Sequence, residues 1–504
     1  MSSLLSIELS KRQRGDFQTP EPLARLIWDQ LDTTKYDLVI EPTFGLGAFL
    51  TTIPPECPAQ VVGWKIHHEY HAATTAHLAD SQVRRFALRQ GDVFDATFKN
   101  IEVPANASIL IIGNPPWVTN AGLGGVNTGP KVNLKTLPGL DALTGKGNFD
   151  IAENIILHFV NLIRGFRSTH LALLVKWTVV RNLLLFLDQV TNAGDFQYYR
   201  VDAMRWFGAA VDAGLLTFKV GADVVTRHSC TVFDAIGGQQ VGEVGVVDDR
   251  LVYDTASYQR TAFLERRSPP VYIWRQGIKH DLRDRFELIP SVNGLHNRHG
   301  ENVDIEPEVL YPLYKGSDLF NGRAARFVVP LYQRDLQDQL QNLPQRSPKL
   351  WAYLEEHADE FRQRRSRIYC GRPQFAIFGI GAYTYRQYKI AIASFYSEPV
   401  FRLLEPSPLP AVTDDTCYLL ATDDYAEAVF LLAMLTLPVA KEFLLAISSP
   451  GSKRRFSKEV LSRLTIPPFS ACPQSLRSLI VDSWRVDRAF SASLQSELTT
   501  WLET

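Results

Sequence analysis

Cysteine is scarce in this chain of 504 residues, and its placement excludes two common structural roles. The five cysteines are odd in number and none belongs to a C-x-x-C pair: Cys57, Cys230, Cys370, Cys417 and Cys472. A disulfide-stapled secreted domain or a cysteine zinc site would require paired, regular spacing. We therefore expect a protein of a reducing compartment without a structural metal.

Long hydrophobic runs are also missing. The longest extends roughly from Ala428 to Ala440, contains Pro438 and falls short of the ~20 residues that a membrane span requires. The first sixteen residues contain no long apolar stretch after a basic segment, so no secretory signal is expected. These features predict a cytoplasmic protein with no membrane association.

Neither sign of charge dominates, since 53 lysines and arginines stand against 54 aspartates and glutamates. This balance excludes a uniformly basic nucleic-acid coat but is compatible with a local basic surface. Basic clusters occur at residues 11–14, 362–367 and 453–455, and each alone is more typical of a solvated face. The length predicts two to four domains.

The first half of the chain alternates short apolar runs with helical patterns, which predicts a parallel α/β sheet. Strands are expected at residues 37–41, 60–64, 84–92, 107–117 and 171–177, and a helix at residues 150–162. Residues 118–148 lack periodicity, and a loop of that length is usually functional or mobile. The segment RRSPP (266–270) is typical of a linker, so we expect domains at 1–268 and 269–504.

The motif Asn114-Pro115-Pro116-Trp117 directly follows the fourth predicted strand. Prolines fix φ and remove N–H donors, so this segment presents carbonyl oxygens. A primary amine on an aromatic ring is a poor nucleophile because its lone pair is delocalised into the ring. Acceptors at the Asn114 side chain and the Pro115 carbonyl can bind both amine hydrogens, and Trp117 can stack on the base. By itself, the motif is equally consistent with a strand-terminating turn that carries a core tryptophan.

Three further segments suggest a ligand site around this motif. Residues 41–47 (EPTFGLG) end the first predicted strand, where open α/β sheets bind ligands, and their glycines allow close backbone approach. A dinucleotide fingerprint would have a third glycine at position 50, where this chain has Leu50. Residues 19–20 (TP) lie upstream, and residues 91–92 (GD) close the third strand.

In this order, the four segments resemble the gamma-class N6-adenine DNA methyltransferases of restriction–modification systems. The segments are TPEPLARLIW (19–28), IEPTFGLGAFL (40–50), QGDVF (90–94) and GNPPW (113–117). Further likeness in residues 143–160, 274–281, 369–392 and 414–420 extends the resemblance over nearly the whole chain. The resemblance implies a Rossmann-like α/β methyltransferase domain with a mostly parallel seven-stranded sheet. An α+β target-recognition domain would follow it.

The resemblance also implies roles for individual residues. S-adenosylmethionine would be bound by Thr19, Pro20, Glu41, Pro42, Gly45, Gly47, Lys65, Asp92 and Asn114. A target adenine flipped out of double-stranded DNA would be held by Asn114, Pro115, Pro116 and Trp117. A second ring over the base would be Trp206 or Phe207, and the sequence does not decide between them. Both are equally consistent with ordinary core aromatics.

Lys65 departs from the family pattern, which has an acidic residue at the end of the second strand to bind the ribose hydroxyls. A lysine cannot accept hydrogen bonds. Glu69 lies one helical turn further on and is a candidate substitute. A basic residue there would also suit the 2′-phosphate of NADP, but that alternative explains neither the NPPW motif nor the missing third glycine.

The second half of the chain interleaves cations with aromatic residues, a pattern that suits phosphate and base contacts. The candidate DNA-binding residues are Arg362, Arg364, Arg365, Arg367 and Lys389. The alternative is a β-rich domain with a solvated charged face. The sequence contains no Asp-x-Lys or Glu-x-Lys ending of a common nuclease motif, so any restriction endonuclease would be a separate polypeptide.

Two other functions remain open at the level of sequence. One is methylation of another planar amine or amide, such as a glutamine side chain or an RNA base, although the long second domain favours DNA. The other is a non-catalytic DNA-binding specificity subunit with weakened cofactor binding, which Lys65 would suit. Retention of the glycines, Asp92 and Asn114 favours an enzyme.

Overall fold

The structure is a computed structural model that describes residues 17–66, 68–79, 86–96, 103–104, 106–118, 150–163, 165–187, 191–331, 339–486 and 496. The basic cluster at residues 11–14 and most of the predicted 118–148 loop lie outside these ranges. The chain divides into two compact units, Met1–Thr255 and Ala256–Thr504. This division lies earlier in the chain than the expected boundary at 268/269.

One ten-stranded sheet forms the centre of the first unit. Its strands are β1 (Leu38–Glu41), β2 (Gln60–Lys65), β3 (Phe86–Gln90), β4 (Ile109–Gly113), β5 (Thr169–Lys176), β6 (Ala193–Val201), β7 (Ala213–Val220), β8 (Ser229–Phe233), β9 (Gln240–Val247) and β10 (Arg250–Val252). The order across the sheet is β10-β9-β8-β6-β7-β5-β4-β1-β2-β3.

The direction of the strands confirms the expected α/β fold. Strands β1 to β5 pair in parallel, and β7 lies antiparallel between β5 and β6. These seven strands make the expected mostly parallel sheet, and β8, β9 and β10 extend it beyond β6. The fourth predicted strand ends at Gly113, so the NPPW motif follows the strand as an extended segment.

Helices cover the sheet because its central strands are apolar on both faces. The helices are α1 (Glu21–Trp28), α2 (Ala48–Thr51), α3 (His68–Ala79), α4 (Ile151–Ile163), α5 (Trp177–Phe186), α6 (Ala203–Phe207) and α7 (Thr255–Thr261), which spans the division between units. Ile40 and Ile109 belong to the core beneath α4, whereas Val39 and Leu110 belong to the core beneath α1. This alternation is the period of two that a strand imposes on its side chains. Full burial stabilises the fold by about 1.5–3 kcal/mol for each such side chain.

The second unit combines three small sheets with short helices, in agreement with the expected α+β class. Its strands are β11 (Arg275–Gln276), β12 (Ile289–Ser291), β13 (Gly294–His296), β14 (Asn302–Val303), β15 (Leu310–Tyr314), β16 (Phe327–Pro330), β17 (Tyr388–Ala393), β18 (Phe401–Leu404), β19 (Val412–Thr413) and β20 (Cys417–Thr422). The sheet orders are β11-β20-β17-β18, β12-β13-β14 and β16-β15-β19.

The helices of the second unit are mostly short. They are α8 (Arg283–Phe286), α9 (Gly316–Asn321), α10 (Gln339–Arg346), α11 (Pro348–Glu356), α12 (Ala358–Arg362), α13 (Tyr425–Thr436), α14 (Pro438–Ala446), α15 (Lys458–Leu461) and α16 (Gln474–Val486). Within the described ranges, no single helix is long and apolar enough to cross a membrane. In the same ranges, α13 and α14 together meet the length and composition of a span, and they are bent by 59°.

Candidate active site

Glu41 and Asn114 meet because the strands that precede them are neighbours. β1 and β4 are parallel and paired, so their carboxyl ends lie at the same edge of the sheet. A cavity that is open to solvent lies at this edge. The predicted site residues that line it are Thr19, Glu41, Gly45, Lys65, Asn114 and Pro116.

The turn after β1 requires glycine at two positions. Gly45 and Gly47 have φ values of +51° and +81°, in the left-handed region that other residues rarely adopt. A Cβ at Gly45 would lie 2.5 Å from the side-chain oxygen of Gln18, which accepts a 2.9 Å hydrogen bond from the Leu46 amide. The Gln18 side chain therefore stabilises the turn by a hydrogen bond, a role that the local sequence pattern did not predict.

The carboxyl of Glu41 is buried against the cavity with an unsatisfied oxygen. Among the described residues, no hydrogen-bond partner reaches its Oε2. Burial raises the pKa of Glu41 to about 8, although the positive charge of Lys65 acts in the opposite direction. A buried carboxyl without a partner fits a ligand that carries a positive charge. The amino acid part and sulfonium of S-adenosylmethionine meet this requirement.

The carboxamide of Asn114 is held in one orientation. Its Nδ2 donates a 2.8 Å hydrogen bond to the Phe17 carbonyl. Its Oδ1 is buried, and no described residue donates to it. The amide therefore presents an acceptor to whatever enters the cavity, which is the role that the NPPW motif predicts for this residue.

Trp117 packs in a group of aromatic rings that includes Phe17, whose carbonyl accepts from Asn114. Its indole Nε1 donates a 3.1 Å hydrogen bond to the Leu174 carbonyl of β5, which fixes the ring. The rings of Phe17 and Phe207 lie 5.3 Å and 5.0 Å from it, the latter edge-on. Pro115 is buried, and Pro116 is half-buried at the cavity.

The two candidate stacking residues occupy different surroundings. Phe207 contacts Trp117, whereas the guanidinium of Arg205 lies 5.0 Å from the centre of the Trp206 ring. Both residues belong to the short helix α6. Its N-cap residue is Asp202, whose carboxylate accepts a hydrogen bond from the Arg205 amide. Phe207 is therefore the ring of this pair that belongs to the aromatic group around Trp117.

A buried ion pair lies next to the NPPW motif. Lys176, at the end of β5, forms an ion pair with Asp150 and donates a 3.4 Å hydrogen bond to the Trp117 carbonyl. The Ile151 amide donates to the Val118 carbonyl at 2.9 Å. The start of α4 and the motif are thus both attached to β5, an arrangement that sequence reasoning missed.

The remaining predicted cofactor residues lie around the ends of β1, β2 and β3. One carboxylate oxygen of Asp92 caps a short 3-10 turn by accepting from the Phe94 amide at 3.0 Å. The Lys65 ammonium lies 4.6 Å from the centre of the Tyr70 ring. Pro20 is the N-cap residue of α1. Pro42 lies close to Gly113, since a Cβ added at Gly113 would be 3.8 Å from the Pro42 ring.

Two candidate DNA-binding residues have internal partners in the second unit. The Arg364 guanidinium donates to the carbonyls of Phe361, Ala376 and Gln374, and it lies 3.9 Å from the centre of the Tyr369 ring. Lys389 is only 1% exposed and donates to the Arg386 carbonyl at 2.7 Å. These side chains serve the fold, which corrects the phosphate contacts expected of them.

The other three candidates lie at the surface. Arg362 is exposed and forms a 2.5 Å ion pair with Asp359. Arg365 and Arg367 are also exposed. Arg365 and Arg367 are exposed to a phosphate in solution, whereas Arg362 would have to exchange its ion pair with Asp359 for a phosphate contact.

Comparison with known proteins identifies the family. No family model matches the chain. Over 473 residues the chain is 32% identical to the type II methyltransferase M.NspV of Nostoc sp. (strain ATCC 29411 / PCC 7524), an alignment that covers 92% of this chain and 98% of that protein. Two solved structures show weaker similarity: the type IIG restriction endonuclease BpuSI (13% identity, 98% of this chain, 66% of that chain, TM-score 0.36) and a type I restriction-modification methyltransferase subunit from Streptococcus thermophilus (14%, 49%, 52%, 0.30). The chain belongs to the type II methyltransferases, the DNA methyltransferases of restriction–modification systems, whose methyl donor is S-adenosylmethionine.

Proposed function

We propose that this enzyme methylates N6 of an adenine that has been flipped out of double-stranded DNA. The observation that carries the proposal is the buried Oδ1 of Asn114, held as an acceptor by the bond to Phe17, whose ring packs against Trp117. An exocyclic aromatic amine offers two N–H donors on a flat ring, and this arrangement complements both features. Flipping is required because the amine is not accessible to a deep site while the base is stacked.

The chain's own groups would activate the amine by hydrogen bonding. Asn114 Oδ1 and the Pro115 carbonyl would each accept a hydrogen bond from one N–H group of the amine. These bonds would concentrate electron density on the nitrogen. Trp117 and Phe207 would hold the base by ring contacts worth about 1–3 kcal/mol each. Because these acceptors are fixed before substrate enters, little reorganisation is needed in the transition state.

S-adenosylmethionine supplies an electrophilic methyl group on a positively charged sulfur when bound. Glu41 would pair with a positive charge of this cofactor, and the turn at Gly45 and Gly47 would allow its close approach to the backbone. Thr19, Pro20, Pro42 and Asp92 would complete the pocket. Lys65 stands where the ribose hydroxyls would need an acceptor, so we expect modest affinity.

The proposal extends to the second half of the chain and to partners. Residues 269–504 would act as the target-recognition domain, with Arg362, Arg365 and Arg367 as candidate phosphate contacts. The enzyme would work in the cytoplasm on genomic DNA as the modification component of a restriction–modification or phage-defence system. Any cutting partner would be a separate restriction endonuclease.

The direct test is transfer of labelled methyl from S-adenosylmethionine to unmethylated genomic DNA, followed by identification and mapping of the modified base. We expect N6-methyladenine at a defined sequence. Asn114→Ala should reduce the rate of transfer about 100-fold or more, because it removes the acceptor for the amine. Asn192→Ala, at an exposed asparagine of the same unit, should retain wild-type activity. Modification of cytosine, or wild-type turnover by the Asn114 variant, would contradict the proposal.

A further inference from the structure

The β12–β13 hairpin has an exposed, polar tip in the second unit. Ser291 pairs with Gly294 across a two-residue turn formed by Val292 and Asn293. The hydroxyl of Ser291 donates to the Gly294 carbonyl at 2.9 Å and accepts from the Asn293 amide at 3.3 Å. Gly294 has a φ of +109°, so the turn depends on glycine at this position. The tip is thus held in shape while its side chains face solvent.

The tip contributes nothing to the core of its unit. The side chain of Val292 is fully exposed, and Ser291, Asn293 and Gly294 are exposed as well. Behind them, Leu288 is fully buried and exchanges two 2.9 Å backbone hydrogen bonds with Val328. The base of the hairpin is therefore anchored, and its tip is available to a partner.

A group of cations surrounds the base of this hairpin next to Phe327. The Phe327 cluster consists of that ring, the buried carboxylates Glu287 and Asp318, and five cations: Arg283, Arg298, Lys315, Arg323 and Arg326. Arg298, Lys315 and Arg326 lie 4.8 Å, 5.1 Å and 5.8 Å from the centre of the Phe327 ring. Glu287 directly precedes the anchored Leu288, so the cluster and the hairpin share one base.

The exposed part of the Phe327 cluster is positive. Its two carboxylates are 2% and 0% exposed, whereas the side chains of Arg283, Arg323 and Arg326 are 66%, 46% and 45% exposed. Within the cluster, five cations outnumber two carboxylates by three, and the surplus is one when the exposed Asp281 and Asp284, which flank Arg283 in the sequence, are counted. A surface of this kind complements a polyanion.

The dimensions of the hairpin suit one polyanion in particular. The exposed stretch from Pro290 to Val292 spans about 7 Å along the chain at ~3.3 Å per residue. The major groove of B-form DNA is about 8.5 Å deep and admits a two-stranded β-ribbon. Phosphates line both rims of the groove, where cations at the base of an inserted ribbon would meet them.

We propose that the β12–β13 hairpin enters the major groove of double-stranded DNA and reads base edges with Val292 and Asn293. An asparagine amide can form two hydrogen bonds with the N6 and N7 positions of adenine, and an apolar side chain can contact the methyl group of thymine. Arg283, Arg323 and Arg326 hold the phosphates beside the groove. This inference rests on the proposed action on DNA and assigns the reading of sequence to one hairpin.

The test uses the full-length protein and short duplexes that carry either the mapped methylation site or its scrambled sequence. In Val292→Ser/Asn293→Ala, the preference for the site over the scrambled duplex should fall about 5- to 150-fold for each base that is no longer read. Mapped methylation should become degenerate at the affected positions. Val225→Ser, at an exposed valine of the first unit, is the matched control and should keep the wild-type preference.

A second variant tests the base of the hairpin and does not touch its tip. Arg283→Gln/Arg323→Gln leaves Glu287 and Asp318 with other cationic partners, so the fold should be retained. Binding to both duplexes should weaken equally, and the slope of log K against log salt should fall by about 0.9 for each phosphate that is no longer neutralised. Arg25→Gln, at an exposed arginine of the first unit, should leave the slope unchanged.

The outcomes separate this inference from the proposed function. A site preference within about twofold of wild type in the tip variant would overturn the hairpin assignment while leaving adenine methylation intact. Methylation of another base, with the tip variant still losing preference, would overturn the proposed function but support the hairpin. Absence of any DNA binding by the wild-type protein would overturn both.

Discussion

Asn114 owes its orientation to a partner 97 positions earlier in the chain. The Phe17 carbonyl accepts from its Nδ2, and this leaves Oδ1 as the face of the amide that is directed toward the cavity. Rotation of the amide by half a turn would place two carbonyl oxygens together, which is unfavourable. The orientation of the Asn114 acceptor is therefore set by an N-terminal segment outside the NPPW motif.

The buried carboxyl of Glu41 makes the free energy of unfolding fall as the pH rises. Its pKa is raised to about 8 from an ordinary value of 4.5, so the folded protein retains a proton that the unfolded chain releases. Stability contributed by this group is fully present below about pH 4.5 and is lost as pH rises towards 8. We expect Glu41→Gln to be more stable than wild type at about pH 8 by a few kcal/mol, and equally stable at about pH 4. Chemical denaturation at both pH values measures the difference, and a larger gap at the lower pH would contradict it.

The same carboxyl should release a proton when S-adenosylmethionine binds. At neutral pH Glu41 is mostly protonated, and a cationic ligand favours its ionised form. Calorimetry in buffers with different ionisation enthalpies should detect release of nearly one proton per cofactor bound. In Glu41→Gln, the release should disappear and the affinity should fall. Binding without proton release in the wild type would show that Glu41 does not face the charge.

Phe207 and Trp206 should differ in their effect on binding of the target adenine. Phe207 contacts Trp117, whereas Trp206 is covered by Arg205. We expect Phe207→Ala to weaken binding of DNA that contains the target adenine by about 1–3 kcal/mol, and Trp206→Ala to have a smaller effect. Fluorescence of 2-aminopurine at the target position would report the unstacked base in both variants. The opposite ranking would assign the stacking role to Trp206.

At the scale of elements, one strand, one helix and the extended segment after β4 meet at Lys176. The end of β5, the segment after β4 and the start of α4 are joined by its ammonium, by Asp150 and by the Trp117 carbonyl. Asp150 also accepts from the Ala152 amide at 3.1 Å and thereby caps α4. The position of the NPPW motif thus depends on this junction.

Removal of the Lys176 cation alone should destabilise the protein. Lys176→Met leaves the buried carboxylate of Asp150 without its counter-ion, which we expect to reduce the free energy of unfolding by about 3–5 kcal/mol. Lys176→Met/Asp150→Asn keeps the helix cap while removing the charge, and it should recover most of this decrease. Denaturant titration of both variants tests the pair. Equal stability of the single and double variants would show that the ion pair has no structural role.

At the scale of the whole molecule, a domain can use similar arginines for folding and for binding. Arg364 donates to three carbonyls inside the second unit, while Arg365 and Arg367 are exposed. The local sequence does not distinguish these three arginines, because in an irregular segment no periodicity indicates which side chain faces inward.

Substitution should separate these two uses. Arg364→Gln should destabilise the second unit, since buried carbonyls would no longer have their donors. Arg365→Gln/Arg367→Gln should leave the melting temperature unchanged and reduce the salt dependence of DNA binding by about 0.9 for each phosphate that is no longer neutralised. Thermal unfolding and binding measured at several salt concentrations make the comparison. An unchanged salt slope in the double variant would remove these two residues from the DNA interface.

The sequence alone determined the features that depend on local pattern. Apolar runs with short spacing predicted the parallel strands, and the confirmed sheet contains β1 to β5 at those places. The expectation of close backbone approach at Gly45 and Gly47 rested on glycine's lack of a side chain, and that of a carbonyl-presenting NPPW segment rested on proline's missing N–H. These properties belong to a residue and its immediate neighbours, so they can be read without knowledge of the fold.

Only the tertiary structure decided which distant groups meet. It placed Phe17 on Asn114 and Lys176 between Asp150 and Trp117, and it buried Lys389 within a strand. It also added β8, β9 and β10 to the expected seven strands. Such contacts join residues far apart in sequence, and their geometry is set by the packing of whole elements. Hydrophobic period and motif spacing therefore predict the elements and the chemistry, whereas the partners of each polar side chain depend on how those elements pack.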